Sequence, residues 1–314
     1  MFKLDKSSPK GLLAVEWVAL GYLIFTVCMI LFTYTSHKNP LLLLSGRLQV
    51  LAMMGGLWMI HYWFPCKFTL FMRVILQAAL LSWWYPDTFE LNKVLPNLDP
   101  TFAAIDQDLF GYQPALLFHE ALPKWASEAF YLGYWSYYPM IAGVVVYYLF
   151  WQRDDFLRAT FVMLTSFFAF YVIFDILPVA GPTFYYEFVG RSAIEEGIFP
   201  DVGNHFLTSQ ACWDSPGNSN GFFYHLVENA KAAGERPTAA FPSSHVGCST
   251  VIILLALYSK HWKIALVLLP FYILLCLATV YIQAHYAIDA IVGFFVGLSF
   301  YYLFNFTYKK GALR

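Results

Sequence analysis

The sequence predicts an all-α, polytopic membrane bundle of about eight transmembrane helices. Three observations carry that expectation. The 314 residues are 59% hydrophobic and only 12% charged, against about 25% charged in ordinary soluble domains. Aromatic residues make up 20%, which suits interfacial belts where a ring and its polar tip meet different solvents. Apolar runs of about 20 residues, long enough to cross a bilayer as helix, recur along the chain.

In chain order the runs fall near 11–34, 41–64, 68–85, 127–150, 157–178, 242–259, 262–283 and 286–308. The first is too long for a cleavable signal and is followed by no small-residue cleavage site, so it is expected to remain as a span. Two parts follow. Residues 1–126 hold the N-terminal spans and an outer interfacial segment. Residues 127–314 hold the remaining helices and a long outer loop, 179–241.

Orientation follows from Lys and Arg near the span ends. Lys3, Lys6 and Lys10 precede the first span, Lys67 and Arg73 flank the second turn, and Arg153 and Arg158 lie between the fourth and fifth spans. Lys260 and Lys263 separate the sixth and seventh, and Lys309, Lys310 and Arg314 follow the eighth. Eight spans put all of these on the cytoplasmic side, with both termini. Segments 86–126 and 179–241 then face outward. That is the periplasmic or lumenal side, or the outer side of the plasma (inner) membrane in a bacterium. Segment 86–126 contains "DQDLFGYQPALLF", expected to form a short interfacial helix. Polar residues within spans, such as Glu16, Arg47 and Gln77, are expected to pair between helices or to snorkel.

The net charge of −1 gives no reason to expect a nucleic-acid partner. Of five cysteines, four lie in or beside apolar runs and only Cys212 falls in an outer loop. An odd count with one loop cysteine is no disulfide framework.

The chemistry gathers in two stretches. "RPTAAFPSSHVGCSTVIILLAL" begins at Arg236 as loop and ends at Leu257 as membrane. Pro242 suits the first turn of a helix. The helix that follows would aim free N–H groups outward, at an end that favours anions such as phosphate. Ser243 and Ser244 add hydroxyl donors, Lys231 and Arg236 lie just upstream, and His245 sits on the first turn. Serines at a helix start equally serve as caps. The second stretch, "VYIQAHYAIDAIVGFFVG", places His285 and Asp289 four residues apart, one turn along a helix face. An ionisable pair in a span is expensive and points to function. A carboxylate against imidazole fixes the tautomer and steadies the charged ring. His245 and His285 are 40 residues apart, the length of two antiparallel spans and a turn, so both return to one face.

Three kinds of protein fit these residues. The first is a phosphotransferase or phosphatase acting on a lipid through a phosphohistidine. The second is a metal-dependent membrane enzyme, since two histidines and a carboxylate are also a ligand set. The third is a transporter, whose ionisable groups would lie nearer the midplane.

"FPSSH" followed by "HYAID" resembles the membrane type 2 phosphatidic acid phosphatase superfamily. Within it the likeness is greatest to the inositol phosphorylceramide synthase and sphingomyelin synthase branch, over roughly residues 157–308. The resemblance implies a six-helix phosphatase-like core with its site at the outer face. It implies His285 as the nucleophile, Asp289 as the residue orienting it, and His245 as the acid that protonates the leaving oxygen and then activates the acceptor. Ser244 would hydrogen-bond a phosphate oxygen. Ser243, Arg236, Lys231, Gly181, Pro182 and Tyr281 complete the expected substrate contacts. The donor would be a phospholipid or lipid phosphate, and the acceptor a lipid hydroxyl or water. No metal or other cofactor is expected.

Two departures separate the chain from the phosphatases. Their arginine six residues before the nucleophile is Thr279 here, and "FDILPVAGPTFYYE" carries no cation. The synthase branch also lacks the arginine, and Gly181-Pro182 is similar to its Gly-Pro element. A dry wall of Phe184, Tyr185 and Tyr186 with the segment around Phe110 is expected beside the bilayer.

Overall fold

The computed structural model describes residue 4, residues 9–118 and residues 122–309. Lys3, Lys6, Lys310 and Arg314 lie outside the described residues. Among these residues regular structure is helical, apart from one isolated bridge between Leu4 and Cys66.

Three long helices open the chain: α1 (Ala14–Phe32), α2 (Pro40–Trp63) and α3 (Lys67–Asn92). Pro40 begins α2, where its missing N–H costs nothing. Buried ion pairs join the three. Arg73 on α3 donates from Nε to Glu16 Oε1 of α1 at 2.8 Å and also to the Gly11 carbonyl. Arg47 on α2 donates to Asp87 Oδ1 of α3 at 3.0 Å. Glu16 and Arg47 are thus interhelical partners, whereas both polar side-chain atoms of Gln77 are buried without a partner. Arg73 is neutralised by Glu16 and cannot act as a free topogenic charge.

The third span is longer than 68–85. α3 contains Pro86 and runs on to Asn92. Its last turns are held from outside, by the Arg47–Asp87 pair and by Asn92 Nδ2, which donates to the Phe174 carbonyl and to Thr238 Oγ1. Those bonds offset the ladder hydrogen bond that proline removes. Two non-spanning helices follow, α4 (Asp99–Phe110) and α5 (Pro114–Leu117).

The fourth span is broken into α6 (Lys124–Trp135) and α7 (Tyr137–Trp151) at Ser136. Pro139 explains the break: it has no N–H for the Trp135 carbonyl and its ring crowds that carbonyl. Next comes α8 (Phe156–Ile176), mostly apolar and enclosed by α1, α3, α13 and α15, as suits a helix at the centre of a bundle.

The long segment 179–241 is ordered into α9 (Pro182–Val189), α10 (Arg191–Glu195), α11 (His205–Thr208) and α12 (Phe222–Gly234). The chain ends with α13 (Ser244–Leu257), α14 (Lys263–Tyr281) and α15 (Ala287–Lys309). Among the described residues six helices are long and apolar enough to cross a membrane; α7 and α13 are apolar but have only 15 and 14 residues.

α13 and α15 meet backbone to backbone. A Cβ on Gly293 would fall 2.4 Å from the Ser243 carbonyl oxygen, and one on Gly297 2.3 Å from that of Gly247. Small residues four apart allow this approach without loss of packing, the usual device where helices associate in lipid.

Candidate active site

The first motif stands at the start of α13. Ser243 is its N-cap: the side-chain oxygen accepts from the Val246 amide, and the Ser243 amide donates to the Asp289 carbonyl at 3.0 Å. Pro242 therefore precedes the cap and is not the first helical residue, because Ser243 takes the capping role. The amides of Ser244 and His245 have no intrahelical acceptor, since a helix leaves its first N–H groups unpaired. The Ser244 hydroxyl makes no hydrogen bond to another described residue.

His285 does not lie on a helix. It sits in the turn between α14 and α15, where Gln283 has a positive φ of 63°. The turn is fastened by His285 N donating to the Thr279 carbonyl at 3.1 Å. α15 begins two residues later, capped from another helix: Asp106 of α4 accepts from the Ala287 and Ile288 amides at 2.7 and 2.9 Å.

The turn brings the two rings together. His285 Nε2 stands 3.5 Å from His245 Nδ1, with ring planes 65° apart. His285 Nδ1 donates to the Ala240 carbonyl at 2.7 Å. A proton on Nδ1 leaves Nε2 with its lone pair facing His245. Burial pushes the His285 pKa down to about 4, so the ring is neutral near pH 7. Asp289 Oδ2 lies 3.6 Å from Nδ1 and accepts from the Tyr286 amide. Its Oδ1 is buried without a partner. The group directly on the ring is thus a backbone carbonyl, with the carboxylate just behind it.

Two aromatic residues clasp His245. Tyr134 stacks on it at 4.7 Å between centroids, and Tyr137 approaches at 4.6 Å. They flank the α6–α7 break, which turns both rings toward the site. The sequence offers only "YLGYWSYYPM" as a sign, an aromatic run with a helix-breaking proline.

The other expected contacts are divided. Gly181 has φ +94°, and a Cβ there would fall 2.7 Å from the Ala284 carbonyl oxygen. Pro182 starts α9, and Thr183 N donates to the Gln283 carbonyl at 2.9 Å. The Gly-Pro element thus buttresses the turn that carries His285. Phe184, Tyr185 and Tyr186 pack inside the same cluster as Tyr286, behind the turn that carries His285; Phe110 is partly exposed. Tyr281 is fully buried among Phe118, Phe130 and Tyr131. Lys231 is engaged by Ser215 Oγ at 2.7 Å and by Glu228 at 3.6 Å. Arg236 donates to the Glu235 carbonyl. Neither cation makes a described contact with the histidine pair. Thr279 donates to the Cys276 carbonyl.

Among the described residues no group of three or more His, Cys, Asp and Glu side chains is arranged to hold a metal ion. Neutral Nε2, an adjacent second imidazole and free helix amides suit attack on an electrophile that develops negative charge.

A family model described as the PAP2 superfamily matches residues 101–303. The match takes in most of α4, both motifs and all but the end of α15. No curated protein and no solved structure matches.

Proposed function

The chain belongs to the PAP2 superfamily, and from that premise we propose that it is a lipid phosphotransferase moving a phosphorylated head group between lipids through a phosphohistidine. Superfamily membership makes it a phosphatase or phosphotransferase type of enzyme, and the six long apolar helices among the described residues make it an integral membrane protein. The finer assignment rests on one observation above all: His285 Nδ1 is bonded to Ala240, which leaves Nε2 open beside His245.

In this reading His285 Nε2 attacks phosphorus while the bond from phosphorus to the leaving oxygen breaks. His245 takes up a proton as the anionic donor binds beside it and gives that proton to the leaving oxygen. It then takes the proton of the acceptor hydroxyl, whose oxygen attacks phosphorus and releases His285. Both histidines end as they began in the donor complex. Asp289 steadies the positive imidazole of the intermediate. The free amides of Ser244 and His245, with the Ser244 hydroxyl, receive the phosphoryl oxygens.

Transfer to an alcohol requires that water be kept out. Burial of His285 and the Tyr134–Tyr137 clasp on His245 support that requirement. So does Thr279, which brings no charge where the phosphatases have an arginine. The donor is a phospholipid whose tails stay in the bilayer, and the acceptor a lipid hydroxyl such as a ceramide or diacylglycerol. The site faces outward and both termini face the cytoplasm, an orientation supported by Lys67, Lys260, Lys263 and Lys309 near one set of span ends.

The test is to supply purified protein with a labelled donor, with and without a ceramide-like or diacylglycerol acceptor. Acceptor-dependent labelled lipid is expected. Fast phosphate release that no acceptor alters would replace this reading with a lipid phosphate phosphatase.

A further inference from the structure

Asp99 opens α4, a helix that crosses no membrane and carries none of the family motifs. Its carboxylate is fully buried, yet it forms no ion pair among the described residues. Instead it accepts from the Ala180 amide at 2.6 Å, the Gly181 amide at 2.8 Å, the Tyr286 hydroxyl at 2.9 Å and Asn97 Nδ2 at 2.7 Å. Burying a carboxylate is costly, and this one is offset by four donors.

Three of those donors lead to His285 by two separate routes. Ala180 and Gly181 adjoin Val179, whose carbonyl accepts from the Ala240 amide at 2.9 Å. Ala240 is the residue whose carbonyl holds His285 Nδ1. The second route is shorter, because Tyr286 is the next residue after His285. Asp99 therefore grips both the acceptor that sets the ring and the backbone that carries it. We propose that Asp99 is the positioning residue for the nucleophile, fixing His285 through the 179–181 strut and through Tyr286. The inference rests on the phosphohistidine reading above.

The groups around Asp99 are the Tyr286 hydroxyl from the turn, Tyr185 and Tyr186 from α9, Asp289 from α15 and Asp106 on α4 itself. None carries a positive charge. Burial accordingly pushes the Asp99 pKa up to about 6, above the value of about 4 for His285. As pH falls, Asp99 loses its charge first and with it part of its grip on the two amides. The neutral residue of Asp99→Asn imitates that state at every pH.

The experiment follows acid-labile labelling of the wild type, Asp99→Asn, Tyr286→Phe and the double variant with a labelled donor, from pH 4.5 to 8. A nucleophile misplaced by about 1 Å loses on the order of 100-fold in rate. Asp99→Asn is expected to fall by about that factor at pH 7.5, with KM within about threefold. Tyr286→Phe, which removes one hydroxyl and spares the strut, should fall about tenfold, and the double variant should be no worse than Asp99→Asn, because the two act as a unit. The wild type should lose rate as pH drops through about 6, and Asp99→Asn should lack that step, its acid limb lying nearer 4. If Asp99→Asn does not fold, Tyr286→Phe alone decides. Wild-type labelling with an unchanged Tyr286→Phe rate, or an unshifted acid limb in a folded Asp99→Asn, overturns the inference alone. Absence of label in the wild type overturns the phosphohistidine reading and this inference with it.

Discussion

The Ser243 amide donates to the Asp289 carbonyl across 3.0 Å. One backbone hydrogen bond thus joins the cap of α13 to the first turn of α15, and so ties the two motifs at one level. It is possible only because Gly293 lets the helices touch. Gly293→Ala should force them apart, at a cost of about 1–3 kcal/mol for overpacking. The expected outcome is a lower unfolding temperature in detergent and at least a tenfold loss of turnover, since His245 and His285 would separate. Unchanged stability and rate would contradict the close approach.

His285→Ala should abolish both turnover and acid-labile labelling while the protein stays folded, judged by gel filtration and circular dichroism. Asp289→Asn should retain measurable labelling, because the Ala240 carbonyl still holds Nδ1. Its rate should nonetheless fall on the order of 10³-fold, since the charged intermediate loses its counter-ion. Equal loss in both variants would mean that the carboxylate, not the carbonyl, sets the ring.

Arg73→Ala should destabilise the N-terminal helices by about 3–5 kcal/mol, because it strands Glu16 in the bundle. Combining Glu16→Gln with Arg73→Met should recover most of the loss, as a neutral pair of similar volume leaves no charge uncompensated. Thermal unfolding of the three proteins decides. A double variant as unstable as Arg73→Ala would show that the pair contributes more than mutual compensation.

Cys212 is exposed in segment 179–241, whereas Cys66 and Cys248 are buried. A membrane-impermeant maleimide added to intact cells should label Cys212 and spare Cys248. Labelling of Cys212 only after the cells are opened would reverse the proposed orientation. Non-reducing peptide mapping should find no crosslink from Cys212 to the other four cysteines.

Length and apolarity determined the bundle by themselves, since a bilayer-crossing helix must be a long apolar run and that requirement is written residue by residue. The spacing of His245 and His285 likewise determined their meeting, because two antiparallel helices return the chain to the level it left. Pro139 carried the α6–α7 break in plain view, although the run around it reads as one span. The tertiary structure alone decided the rest. It set His285 in a turn, not on a helix, because Asp106 caps α15 from α4 and starts it at Ala287. It chose the Ala240 carbonyl as the partner of Nδ1, and a backbone carbonyl is the same in every residue, so no pattern could mark it. It placed Tyr134 and Tyr137 around His245 from another helix, and Asp99 beneath the turn that carries His285 from a segment some 190 residues away. Such groups are selected by where they arrive in space, and hydrogen bonds between distant segments leave no periodicity along the chain.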